Sequence, residues 1–128
     1  MTILVTEGKE FIIDKLQNAA PLTDANAQFI GWGTGTAAEA VGNTFGTAGV
    51  TESAEARQTG VLSQITATTD RCVATMTATG VRAITQAWRT NTLTKGDAGQ
   101  RMFIYALFTS VPVETNDQIT FTIDYIQS

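Results

Sequence analysis

The stretch "RCVATMTATG", residues 71–80, decides the fold. Cys72, Ala74, Met76 and Ala78 fall on one side, and Val73, Thr75, Thr77 and Thr79 on the other. A period of two is the side-chain period of a β-strand. The alternation returns in "ITFTIDYI", residues 119–126, with Ile119, Phe121, Ile123 and Tyr125 inward and Thr120, Thr122 and Asp124 outward. Between them, "RMFIYALFTS" (101–110) is a nearly continuous apolar run, the pattern of a strand buried on both faces. In "VRAITQAWRT" (81–90), regular alternation puts Ile84, Gln86 and Trp88 on one face and Ala83, Thr85 and Ala87 on the other. Turn signals punctuate these runs. Gly96, Asp97 and Gly99 mark a hairpin connection, and "VPVETNDQ" (111–118) turns the chain again. Short strands separated in this way indicate an antiparallel β-sandwich.

Upstream, "EGKEFIIDKLQN" (7–18) reads as one short helix, capped by Thr6, with Glu7 and Glu10 near its positive end. Phe11, Ile12 and Leu16 form its apolar stripe, and residues 18–26, with Pro21, read as a turn. "AQFIGW" (27–32) is a short buried strand. The glycine-rich segment 31–49 is expected to be an irregular loop in which glycine bends the backbone out of the strand at φ > 0. "TESAEARQTG" (51–60) has little apolar content and reads as a loop or one exposed helical turn. The expected fold class is therefore mainly β: an antiparallel β-sandwich with one short N-terminal helix. One domain is expected over 1–128, with an arm and helix in 1–26 and the sandwich in 27–128.

Composition narrows the function classes. The net charge is −4 and the pI near 4.6, which argues against nucleic-acid binding. Charged residues make up 16% of the chain, against roughly 25% in ordinary soluble domains. Thr is the commonest residue. Such a surface belongs to a chain that lives among partners, or to a Thr-rich sandwich with an ordinary solvated face. The start "MTILVTEGKEFIID" carries Glu7, Glu10 and Asp14 and does not read as a signal peptide. No run approaches the ~20 apolar residues of a membrane span, so synthesis and folding in a cytoplasm are expected.

No catalytic, cofactor-binding or metal-binding residue is expected. There is no histidine, which removes Ser-His and Cys-His pairs. Cys72 is a lone cysteine on the alternating face and reads as a core thiol. Gly31, Gly33 and Gly35 give G-x-G-x-G, not the G-x-G-x-x-G of a dinucleotide site, and no Lys lies between Lys15 and Lys95 to complete a phosphate loop. The carboxylates Glu52, Glu55, Asp97, Glu114 and Asp117 sit in turns and loops, leaving little material for a two-carboxylate cleft. Trp32 and Trp88 would have to be exposed to stack on sugars.

The order of motifs resembles that of small structural proteins of tailed bacteriophages. "FIGWGTGTAAEAVGNTFGTAG" (29–49) is followed by Glu52, Glu55 and Arg57, then by the Thr-alternating strand. After it come "AITQA" (83–87), a turn, the apolar strand ending "FTSV" (108–111), and "DQITFT" (117–122). The resemblance covers roughly residues 28–124. The chain departs from it at "AITQAWRT", where Gln86 stands for an acid and Trp88 and Arg89 for small or apolar residues. The resemblance implies a capsid decoration (cement) protein on the virion exterior, non-enzymatic and homo-oligomeric, with the major capsid protein as partner and no role for nucleic acid or membrane. It equally admits a tail, collar or baseplate component. From a different class, a carbohydrate-binding module is the alternative.

Overall fold

The structure, a computed structural model, describes residues 2–9, 12 and 27–127. It is mainly β, with two antiparallel sheets and one short N-terminal helix. Among the described residues eight strands follow in chain order: β1 (Thr2–Leu4), β2 (Phe29–Gly33), β3 (Gln58–Thr59), β4 (Val61–Thr66), β5 (Thr69–Thr77), β6 (Arg82–Thr90), β7 (Met102–Val113) and β8 (Gln118–Ile126). The larger sheet has the order β1-β7-β6-β2-β3 and the smaller β4-β5-β8. Across the sandwich, β5 lies over β2 and β3, and β8 over β6 and β7.

The alternation at 71–80 holds residue by residue. Cys72, Ala74, Met76 and Ala78 are buried between the sheets, and Thr75, Thr77 and Thr79 are exposed. Nine unbroken pairs join β5 to β8, including Cys72↔Ile123 and Met76↔Ile119. Ile123 is buried, while Ile119, Phe121 and Tyr125 pack against the same core with part of each side chain open. Ile30, Trp32, Ile84, Ala87 and Ile104 complete this inter-sheet core from the larger sheet. A second cluster of Val5, Trp88, Met102 and Tyr105 lies on the other side of the larger sheet, beneath Ala37, Phe45 and Val50. The larger sheet is thus covered on both faces, which is why its "MFIY" segment (102–105) is buried throughout.

Several expectations are corrected. Gly31 and Gly33 belong to β2, and the irregular segment begins after them. Neither they nor Gly35 sits at positive φ; in this segment only Gly49 does, at 85°. Their role is close approach: a Cβ on Gly31 would overlap the Trp88 indole, and one on Gly35 the Gly49 carbonyl. In β6 the regular alternation breaks between Ile84 and Gln86, where three β7 residues (108–110) stand opposite Thr85 alone. Gln86 and Trp88 therefore face the outer cluster, whereas Ile84 joins Ala87 in the inter-sheet core. Residues 111–113 continue β7, and the turn falls at 114–117, with Asn116 at φ 75°.

The N-terminal helix begins at residue 6, and the carbonyl of Val5 accepts the first helical bond from Lys9 (3.1 Å). Val5, not Thr6, holds the cap position. Glu7 accepts a bond from the Met102 amide (2.9 Å), fastening the helix start to β7. Ile12 packs against the inter-sheet core. The rest of the expected helix and stripe, with Glu10, Phe11 and Leu16, and the turn around Pro21 lie outside the described residues.

Candidate assembly surface

Backbone amides in the glycine-rich segment are consumed internally. Thr34 donates to Thr51 O (3.0 Å), Gly35 to the Gln86 side-chain oxygen (3.0 Å), and Thr36 and Ala37 to Gly49 O (3.0 and 3.1 Å). A phosphate cradle needs such amides free and convergent; here they fold the loop onto itself. Gln86 is the staple. Its oxygen also accepts from Thr51 N (3.1 Å), and its amide nitrogen donates to Gly49 O and to the Tyr105 hydroxyl (both 2.8 Å). The Tyr105 hydroxyl donates in turn to Ala37 O (2.6 Å). Burial pushes the Tyr105 phenol up; the bond from Gln86 opposes this, and nearby Glu39 reinforces it.

The polar segment 51–57 is a loop, irregular apart from a bridge at Glu52, and not a helical turn; from Ser53 on, every second residue of it is buried. Ser53, Glu55 and Arg57 are buried, and Ala54, Ala56 and Gln58 are exposed. The signal was present in the sequence as a period of two, carried by polar residues instead of apolar ones. Glu55 closes one end of the inter-sheet core. It accepts bonds from Trp32 Nε1 (3.2 Å), the Ser53 hydroxyl, and the Thr79 amide and hydroxyl (3.0 and 2.9 Å), and pairs with Arg82 (3.4 Å). Burial pushes its carboxyl up, but the bonds from Ser53 and Thr79 outweigh burial and bring it down to about 2. Arg57 forms a bidentate pair with Glu52 (2.8 and 3.0 Å) and donates to Thr92 and Gln100, with its guanidinium 4.4 Å from the centre of the Phe45 ring. Buried charges persist only when paired and hydrogen-bonded in this way. Every partner named here belongs to the chain's own framework.

The other singled-out residues are also framework. Cys72 is buried, and burial raises its thiol despite the opposing charge of Arg89. Arg89 crosses the sandwich, donating to Ala27 O (2.8 Å) and to Asp70 (2.6 Å). Trp32 and Trp88 are 1% and 0% exposed, so neither offers a face to a sugar ring. Asp97 accepts from the Gly99 amide (2.7 Å) and Asp117 from the Glu114 amide (2.7 Å), both as turn formers.

Among the described residues, the smaller sheet offers an open face to a partner. All six residues of β4 are exposed, and Val61, Leu62 and Ile65 are 72%, 37% and 47% accessible. The outward face beside β4 carries Thr75, bonded hydroxyl to hydroxyl with Thr120 (2.8 Å), Thr77 bonded to Gln118 (3.2 Å), and the bidentate Arg71–Asp124 pair (2.8 Å). Asp124 is held below the usual carboxylate range by the bond from Arg71. Among the described residues no helix is long and apolar enough to cross a membrane. No family model matches the chain, and neither a curated protein nor a solved structure matches it.

Proposed function

We propose that this chain is a decoration protein of a tailed-phage head, binding the outer capsid lattice and bridging neighbouring capsid subunits. The observation that carries the reading is β4: an edge strand, exposed along its whole length, free of charge and carrying three accessible aliphatic side chains. Natural sheets blunt such edges or cover them, because an open edge pairs with other chains. The ordered motif resemblance over residues 28–124 supplies the setting. The action is mechanical. Packed DNA presses the shell outward, and each bridging contact adds area that expansion must break. Contacts repeated over a lattice sum to strong avidity even when each is weak.

The test uses particles that lack the protein. They should assemble, release DNA at lower temperature and under milder osmotic shock, and regain resistance when the purified chain is added. Host adsorption should be unchanged. Particles that retain DNA normally without the chain but fail to adsorb would overturn the decoration reading in favour of a tail component.

A further inference from the structure

The two sheets are out of step. With β5 over β2 and β3, and β8 over β6 and β7, each sheet ends beyond the other. On one side β4 overhangs, exposed at every residue. On the other side β1 lies past β8. Two open hollows border β8 there. One, of about 320 Å³, lies between Ala106, Phe108 and Val111 of β7 and Ile119, Phe121 and Ile123 of β8. The other, of about 220 Å³, lies between Leu4, Ile104, Tyr125 and Ile126.

Among the described residues, strand β8 is itself an open edge. Its pairing with β5 runs from Thr69↔Ile126 to Thr77↔Gln118 in one register, without a bulge. It contains no Pro and no Lys, the residues that commonly blunt an edge. Among the described residues, its second side has no strand neighbour.

We infer that this edge receives β4 of a second copy, head to tail, so that the smaller sheet runs from one copy into the next and the overhanging strand covers the hollow beside β8. Geometry favours this occupant. Leu62 pairs with Cys72, a core-facing position, so Leu62 points to the inner side of the sheet while remaining 37% exposed. In the next copy that inner side is the apolar hollow. Pairing β8 with β8 would drive the β1 side of both copies into the same space. Pairing β4 with β4 would leave the hollow beside β8 uncovered. Strands β4 and β8 both run antiparallel to β5, so a continued sheet pairs them in parallel.

Charge agrees with this choice. The chain carries a net −4, yet β4 has no charged side chain, and the one on β8, Asp124, is already held by Arg71. The joint therefore buries no unpaired charge. Area sets its strength. A standard interface uses about 20–30 residues a side, and the edge strands β4 and β3 supply six and two. The joint is therefore weak in solution and fills when copies are held side by side, a step that rests on the decoration reading.

The experiment uses two single-cysteine additions in separate preparations, Ser63→Cys on β4 and Thr122→Cys on β8, both at exposed positions. A short bis-maleimide is added at millimolar chain concentration. Cys72 is buried and does not compete. The mixture should give cross-linked dimer several-fold above either preparation alone. Adding Leu62→Lys to the Ser63→Cys chain should return the yield to background. Val61→Lys, on the outer face of the same strand, should leave it unchanged. A mixture at background, equal cross-linking within a single preparation, or equal loss from both lysine variants would overturn the inference. Binding of the unmodified chain to undecorated particles is read separately. A cross-link without particle binding overturns the decoration reading alone, and particle binding with the mixture at background overturns the joint alone.

Discussion

Replacing Glu55 by Gln tests whether the buried carboxylate, and not burial of apolar area alone, closes the end of the sandwich. Its two oxygens face four hydrogen-bond donors and the Arg82 guanidinium. Gln keeps one acceptor oxygen and turns an NH₂ group toward the rest. The Ser53 and Thr79 hydroxyls can rotate to accept, but Trp32 Nε1–H and the Thr79 amide cannot. Whichever way the amide lies, one fixed donor loses its partner, at about 1–3 kcal/mol. Loss of the charge beside Arg82 brings the expected destabilisation at neutral pH to about 2–4 kcal/mol. The carboxyl is lowered in the fold from 4.5 to about 2. Such a group stabilises fully above its unfolded pKa, and the contribution is lost as pH falls toward the folded one. The difference between the two proteins should thus narrow by about 2 kcal/mol between about pH 6 and about pH 3. Asp124 titrates in both and cancels. Urea unfolding followed by tryptophan fluorescence measures this directly, with an unchanged slope showing that the same surface is exposed. A difference at neutral pH below about 0.5 kcal/mol, or acid limbs that stay parallel, would refute the reasoning.

Three further substitutions separate packing from loop chemistry. Gly31→Ala places a methyl group into the Trp88 indole and should cost about 1–3 kcal/mol or more in thermal unfolding. Gly42→Ala meets open space and should stay within about 0.5 kcal/mol. Gln86→Leu strips four hydrogen bonds from the staple. It should cost about 2–4 kcal/mol, with hydrogen exchange accelerating at Gly35 and Thr51 before the strands. Uniform exchange across the molecule would show that the loop and the sheet open as one unit.

The strands were legible because burial of apolar side chains on one sheet face writes itself as a period of two, as at Cys72–Ala78 and Ile119–Tyr125. The turn at Gly96 and Asp97 was legible because its chemistry is local: Gly96 sits at φ 72° and Asp97 accepts from Gly99 two residues on. The break in β6 was not. Opposing three β7 residues to Thr85 is a property of the pair of strands, and neither strand states it alone. Glu55 and Arg57 were hidden for a related reason. A charged residue signals exposure unless its partners are known, and Thr79, Arg82, Thr92 and Gln100 arrive from distant parts of the chain.

By itself, then, the sequence determined the β-rich class, the strand faces governed by regular alternation, and the low content of charged residues, because these follow from local spacing and composition. Only the tertiary structure decided that the glycines of β2 serve close packing under Trp88, that the buried Arg57 finds an ionic partner in the polar segment, and that the two sheets are offset so that, among the described residues, β4 and the edge of β8 are left open. Those outcomes depend on which surfaces meet across the sandwich. That is settled by the joint packing of all the strands, which no single stretch of the chain encodes.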